Sequence, residues 1–245
     1  MTETVQLELR DDATAVLRLN RPEVHNAVDG AVMDGFEAAL DVLDAEAVRA
    51  VVVTGAGTRT FCAGGDLRYF ATLGATAADG VAMSRRVQAI LERLVRGRAV
   101  IAALNGDVIG GGCELAVACH LRIVAAGVRF SFRPVAMGLI PGWGGGGRLS
   151  RLVGRSTALR LLLLAATIDA GEALRLGLVD RVVEPERLMD EAESWARTIA
   201  AQPASAVRAM LELDGDAERE TRLFGELWSG EDFRRVLDEW RRRKG

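Results

Sequence analysis

The sequence predicts an α/β fold on three observations. Short β-branched runs alternate with amphipathic helical stretches through the first 150 residues, glycines close several of those runs, and leucine-rich helical periodicity takes over afterwards. At 245 residues with 49% hydrophobic content, the chain can bury one large core, or a main domain with an appendage. The expected division is a core over residues 1–190 and a helical region over 191–245.

The elements follow in order. Val5, Leu7 and Leu9 alternate with polar residues, and Asp11-Asp12 turns the chain into Ala15–Leu19, which predicts a β-hairpin. Asp29 is a good N-cap, followed by Val32, Met33, Phe36, Leu40 and Leu43 at helical spacing. The run RAVVVTGAG at 49–57 reads as a buried strand, residues 79–96 as helical, and Ala99–Leu104 and Leu121–Ala125 as further strands. Beyond residue 150 the strand signal is confined to Arg181-Val182-Val183. Asp169 and Glu172 fit a capping box for a short helix ending near Gly177, and the chain from Pro203 onwards reads as helices with a basic end, Trp240-Arg241-Arg242-Arg243-Lys244.

Composition excludes several function classes. Thirty-one basic residues against 34 acidic ones give a net charge of −3, which offers no general attraction for nucleic acid or anionic lipid, so an anionic ligand must be held locally. No apolar run approaches the ~18 residues of a membrane span. The start, MTETVQLELRDD, has neither a basic n-region nor an apolar h-region, so a cytoplasmic protein with no membrane or nucleic-acid partner is expected. Cys62, Cys113 and Cys119 are odd in number and lack metal-ligand spacing, and they read as small core residues rather than metal ligands.

Three segments are dense in glycine: VVVTGAGTRTFCAGGDL at 51–67, NGDVIGGGCELA at 105–116 and MGLIPGWGGGGRL at 137–149. Any one of them could be a tight turn. In two, the glycines lead straight into helix-forming residues: Gly64-Gly65 before Asp66-Leu67-Arg68-Tyr69, and Gly110-Gly111-Gly112 before Cys113-Glu114-Leu115. Two helix N-termini with free amides, if they converge, make an oxyanion hole. A nucleotide-binding reading competes, because VVVTGAG resembles a Rossmann strand and turn, and Gly142, Gly144 and Gly147 satisfy GxGxxG. Neither match has its context: no amphipathic helix opens at Thr58–Cys62, and Pro141 interrupts the approach to the second.

Together, FCAGGDL, NGDVIGGGCELAVACHLRIVA, MGLIPGWGGGGRLSRLVG, the loop NRPEVHNAV at 20–28 and the tail beginning SGEDF resemble the crotonase (enoyl-CoA hydratase/isomerase) superfamily, in order and spacing. The resemblance implies the crotonase, ClpP-like fold, a repeated ββα core with a C-terminal helical region that packs homotrimers, often paired into dimers of trimers. It implies an acyl-CoA thioester substrate, with coenzyme A as part of the substrate and no separate cofactor. The thioester oxygen would sit between the amides of Gly65 and Gly111, and Glu114 would be an acid/base. Ala63 would contact the adenine through its backbone, the 24–28 loop beginning at Val24 would line the CoA channel, and Asp66 and Gly142 would be further CoA-binding positions. A non-catalytic CoA- or RNA-binding relative of the same fold is the alternative of another class.

One departure matters. Where hydratases of the superfamily carry a second glutamate, near the start of FRPVAMG, this chain has Pro134, and no Asp or Glu occurs between Glu114 and Asp169. Hydration needs a base on the water and an acid at the α-carbon, each worth ~10²–10⁴-fold. Isomerisation or decarboxylation of a malonyl-type thioester needs only one carboxylate. The stretch FRPVAMGLIPGWGG resembles the ethylmalonyl-CoA decarboxylase branch through its Gly-Trp-Gly-Gly element, and Arg133 beside the vacant position is a candidate for holding a substrate carboxylate.

Overall fold

The computed structural model describes residues 3–74 and 76–244. The hairpin forms as β1 (Val5–Leu9) antiparallel to β2 (Thr14–Leu19), with Leu7 opposite Leu17. Helix α1 (Gly30–Ala45) is capped by Asp29, whose carboxylate accepts the Val32 N–H at 2.9 Å. Its Val32, Met33, Phe36, Leu40 and Leu43 are all buried, as their spacing requires. Truncating a residue such as Leu40 to Ala would cost about 2–5 kcal/mol.

The chain then repeats one motif. A long strand is followed by a three-residue strand and a helix: β3 (Ala50–Gly55), β4 (Thr60–Cys62), the single turn α2 (Leu67–Phe70) and α3 (Ala77–Val95); β5 (Ala99–Leu104), β6 (Asp107–Ile109) and α4 (Gly111–Ala118); β7 (Leu121–Ala125), β8 (Arg129–Ser131) and α5 (Gly145–Val153). The long strands join the hairpin in a six-stranded sheet of order β1-β2-β3-β5-β7, completed by β10 (Arg181–Val183). From β2 onwards its neighbours are parallel, and β3 and β5 are buried on both faces.

The short strands form a second sheet, β4-β6-β8 and then β9 (Thr167–Asp169) antiparallel to β8. This sheet departs from the sequence expectation, which placed no strand at 60–62, 107–109, 129–131 or 167–169. Three residues are too few for alternation to register. Because β4, β6 and β8 pair in parallel, the segments that follow them leave the sheet along one edge. Those segments are Ala63-Gly64-Gly65, Gly110-Gly111 and Phe132-Arg133-Pro134.

Helices α6 (Arg155–Leu163), α7 (Ala170–Arg175) and α8 (Leu188–Ala200) complete the core. Asp169 accepts the Glu172 N–H at 2.7 Å, but the Glu172 carboxylate turns to Arg160 at 3.2 Å, so only half of the anticipated capping box forms. Helix α8 straddles residue 190 and lies against β3, β5 and β7, burying Ala192, Ala196 and Ala200. The tail is α9 (Ala204–Leu211), α10 (Ala217–Trp228) and α11 (Glu231–Lys244); these helices expose Met210, Phe224, Trp228 and Val236, and the connection between the first two exposes Leu213. The three cysteines are free and buried. The GxGxxG match opens α5 after a 3-10 turn at Pro134–Met137 rather than after a strand, which removes the Rossmann context.

Candidate active site

The edge shared by β4 and β6 brings two unpaired backbone amides together. Val28 donates its N–H to the Gly64 carbonyl at 2.7 Å, and Asp66 donates to the Val28 carbonyl at 2.9 Å. The Gly65 N–H between them faces the other way and has no acceptor among the described residues. Gly111 is the first residue of α4, where a helix leaves its N–H without an intrahelical partner. The two segments touch: Gly64 has φ +85°, and a Cβ on it would lie 2.6 Å from the Gly111 nitrogen, so only glycine leaves that N–H uncovered. Aromatic rings wall the glycines, since a Cβ on Gly65 would meet the Phe70 ring at 2.1 Å and one on Gly111 the Trp143 ring at 2.6 Å. The expectation of two converging helix ends is corrected on one side. Helix α2 is one turn long, too short for an appreciable dipole, so the Gly65 amide acts through its own geometry.

Glu114 sits one turn into α4 and is only 6% exposed. Its carboxylate accepts three backbone N–H groups: Gly142 at 3.2 Å on Oε1, and Trp143 at 2.7 Å and Gly145 at 2.9 Å on Oε2. Those amides open α5, which has no side-chain cap of its own, so Glu114 supplies the anion that a helix N-terminus favours. A Cβ on Gly145 would lie 2.4 Å from Glu114 Cγ, which restricts that position to glycine. Burial raises the carboxyl pKa above its ordinary value. The Gly145, Trp143 and Gly142 amides and the Arg148 charge oppose that shift without cancelling it. The 142–145 segment is itself held from α3, where Gln88 Nε2 donates to the Gly142 carbonyl at 2.9 Å and Ser84 Oγ donates to the same oxygen.

Beside Glu114 lies a cavity of about 10 Å³, room for one water, walled by Val117, Phe132, Pro134, Leu149 and Leu162. Glu114 is the one carboxylate in its lining, which also includes Pro134, the first residue of the 3-10 turn. Arg133 is exposed on the same segment.

The chain matches the family model described as Enoyl-CoA hydratase/isomerase over residues 10–224. It belongs to the enoyl-CoA hydratase/isomerase family. It is 39% identical over 208 residues to a protein of Syntrophomonas wolfei named crotonyl-CoA hydratase, a match covering 84% of this chain and 79% of that one. It is 36% identical over 234 residues to a short-chain-enoyl-CoA hydratase of Clostridium acetobutylicum, covering 91% and 89%. The crystal structure of an enoyl-CoA hydratase from Bacillus anthracis superposes with a TM-score of 0.89 at 29% identity, over 98% of this chain and 96% of that one. The chain is thus an enzyme of this family on a crotonase fold, and among the described residues no helix is long and apolar enough to cross a membrane.

Within this family member, the remaining candidate positions divide by what their groups already do. Val24 ends a 3-10 turn, Pro22–Val24, beside His25 and Asn26, which both take positive φ. Ala63 is half-buried and donates its N–H to the His25 carbonyl at 3.0 Å, so loop 24–28 and the Gly65 segment are joined directly. Asp66 caps α2 through the Arg68 N–H and pairs with Arg21 at 3.3 Å, which commits its side chain to structure. Gly142 donates to Glu114, so its amide positions the carboxylate. Sequence reasoning passed over Asn26, which is buried, accepts the Arg21 N–H at 3.0 Å and donates to the carbonyls of Ala56 and Thr60 at 3.0 and 2.8 Å. A signal was available, since asparagine is one of the few residues that tolerates the left-handed region such a loop uses. Ser84 and Gln88 were also passed over, and as ordinary polar residues on a helix they carried no signal.

Proposed function

We propose that this chain binds an acyl-CoA thioester with its carbonyl oxygen between the Gly65 and Gly111 amides, and turns over the resulting enolate with one carboxylate, Glu114. Val24 with the 24–28 loop, and Ala63, are the proposed CoA contacts, and no separate cofactor is called for. The reading is supported by the lining of the cavity beside Glu114, which includes that single carboxylate and Pro134. One fixed carboxylate suits isomerisation, in which it takes a proton from the α-carbon and returns it to the γ-carbon. It also suits decarboxylation of a malonyl-type thioester. There the bond to the carboxylate breaks, the electron pair passes into the thioester enolate, and Glu114 protonates the α-carbon. Water addition asks the same group to activate water and protonate carbon. The identity to a protein named crotonyl-CoA hydratase favours water addition as the second reading, with Glu114 serving both transfers.

The exposed apolar residues of the tail, Met210, Leu213, Phe224, Trp228 and Val236, support self-association through it, as a homotrimer or a dimer of trimers. The testing experiment is a panel of 2-enoyl-, 3-enoyl- and alkylmalonyl-CoA esters, with products followed by mass spectrometry for the wild type and Pro134→Glu. Isomerised or decarboxylated product should dominate, with Pro134→Glu raising hydration. Wild-type hydration with kcat/KM above roughly 10⁵ M⁻¹s⁻¹ would overturn the one-carboxylate reading in favour of the second.

A further inference from the structure

We propose that a second cavity, at the N-terminal ends of β3 and β5, is a binding site for a small phosphate-bearing polyanion. The cavity has a volume of about 460 Å³, inside the range of small-molecule sites. Its lining holds five arginines, Arg49, Arg93, Arg96, Arg98 and Arg208, against two carboxylates, Asp44 and Glu46. This concentration of positive charge occurs in a chain whose net charge is −3.

Some of that charge is already used. Arg93 pairs with Asp44 at 2.7 Å and Asp41 at 2.8 Å, and Arg49 donates to the Ala200 carbonyl at 3.0 Å. The rest is not. The Arg98 side chain is only 8% exposed; its Nη2 is paired with Asp44, and its Nη1 is buried with no hydrogen-bond acceptor. A buried charged donor without a partner is rare and calls for an explanation. Arg96 and Arg208 are exposed at the mouth and form no side-chain hydrogen bond or ion pair among the described residues.

An independent feature faces the same space. Helix α9 begins at Ala204 in the cavity wall with no side-chain cap, and its first internal bond is Val207 N–H to the Pro203 carbonyl at 3.0 Å. The N–H groups of Ala204, Ser205 and Ala206 therefore have no acceptor among the described residues. Guanidinium groups beside open helix amides match the several acceptor oxygens of a phosphate group better than a lone carboxylate. The site is separate from the thioester site: β3 and β5 are six residues each, so roughly 20 Å of strand lies between the cavity and the edge that leads to Gly65 and Gly111.

The test is calorimetry of the intact protein with sodium pyrophosphate at fixed ionic strength, with and without saturating coenzyme A, for the wild type and Arg96→Ser/Arg208→Ser. Both substitutions are on exposed residues away from Glu114, so the melting temperature and coenzyme A affinity should match the wild type. The expected result is saturable pyrophosphate binding that persists with coenzyme A bound and is at least about tenfold weaker in the double variant. No saturable binding up to about 10 mM, displacement by coenzyme A, or equal affinity in the double variant would each overturn the proposal.

Discussion

Glu114→Gln separates two things the glutamate does at once, holding the 142–145 segment and moving a proton. The amide side chain keeps one oxygen, which can take the Oε2 place and accept the Trp143 and Gly145 N–H groups now at 2.7 and 2.9 Å. Its NH₂ then faces the Gly142 N–H, now 3.2 Å from Oε1, donor against donor. One unsatisfied buried donor costs about 1–3 kcal/mol. At 2–4 °C per kcal/mol for a chain of this size, that is a fall of roughly 2–12 °C in melting temperature. Removing a buried charge whose pKa burial has raised works the other way, so the lower end is expected. The fold and coenzyme A affinity should therefore survive, while kcat for the native reaction falls by ~10²–10⁴ with the proton carrier gone. Differential scanning calorimetry, coenzyme A titration and kcat measured together decide the matter. A folded Glu114→Gln protein with kcat within tenfold of wild type would mean that Glu114 only caps α5. The pH profile adds a sign. If Glu114 acts as a base, kcat falls as pH drops through a pKa above the ordinary 4.5; if it acts as the donor to an enolate, kcat falls as pH rises through it.

Two further outcomes follow from the same geometry. Gly111→Ala keeps the amide but drives a Cβ into the Trp143 ring, whereas Gly111→Pro adds loss of the N–H at a helix position proline tolerates; Pro should therefore be ~10²–10³-fold worse in kcat than Ala, and equal turnover would remove Gly111 from the oxyanion role. His120 accepts the Val100 N–H at 3.1 Å, and burial, aided by the Arg122 charge, lowers its pKa from 6.5 to about 4. The unfolded chain then binds the proton first, so stability should fall as pH drops from about 6.5 towards 4, and urea titrations of His120→Gln should lack that component of the slope.

The long elements were legible because their physics is local. The run at 50–55 is buried on both faces, and Asp29 with the spacing of Val32 to Leu43 fixes α1 by cap and period together. The second sheet was not legible, because Thr60–Cys62, Asp107–Ile109, Arg129–Ser131 and Thr167–Asp169 are strands only by virtue of one another. That sheet is what aligns the glycine segments, so the motifs could be read while the reason they meet could not. Asp66 shows what a motif leaves out: the family resemblance proposes it as a CoA-binding position, and the structure adds that its carboxylate caps α2 and pairs with Arg21.

The partners of Glu114 were within reach of a stricter reading. Pro141-Gly142-Trp143-Gly144-Gly145 enters a helix with no Ser, Thr, Asp or Asn at its start, leaving several amides that something must satisfy. No acidic residue lies between Glu114 and Asp169, and Asp169 is engaged as the cap of α7, so Glu114 is the nearest anion on the N-terminal side of that helix. The same stretch without acidic residues leaves Glu114 to fill that cradle. The cradle bears on the chemistry, because three fixed donors hold the carboxylate in one place. A carboxylate held in that way is suited to carrying one proton over a short path.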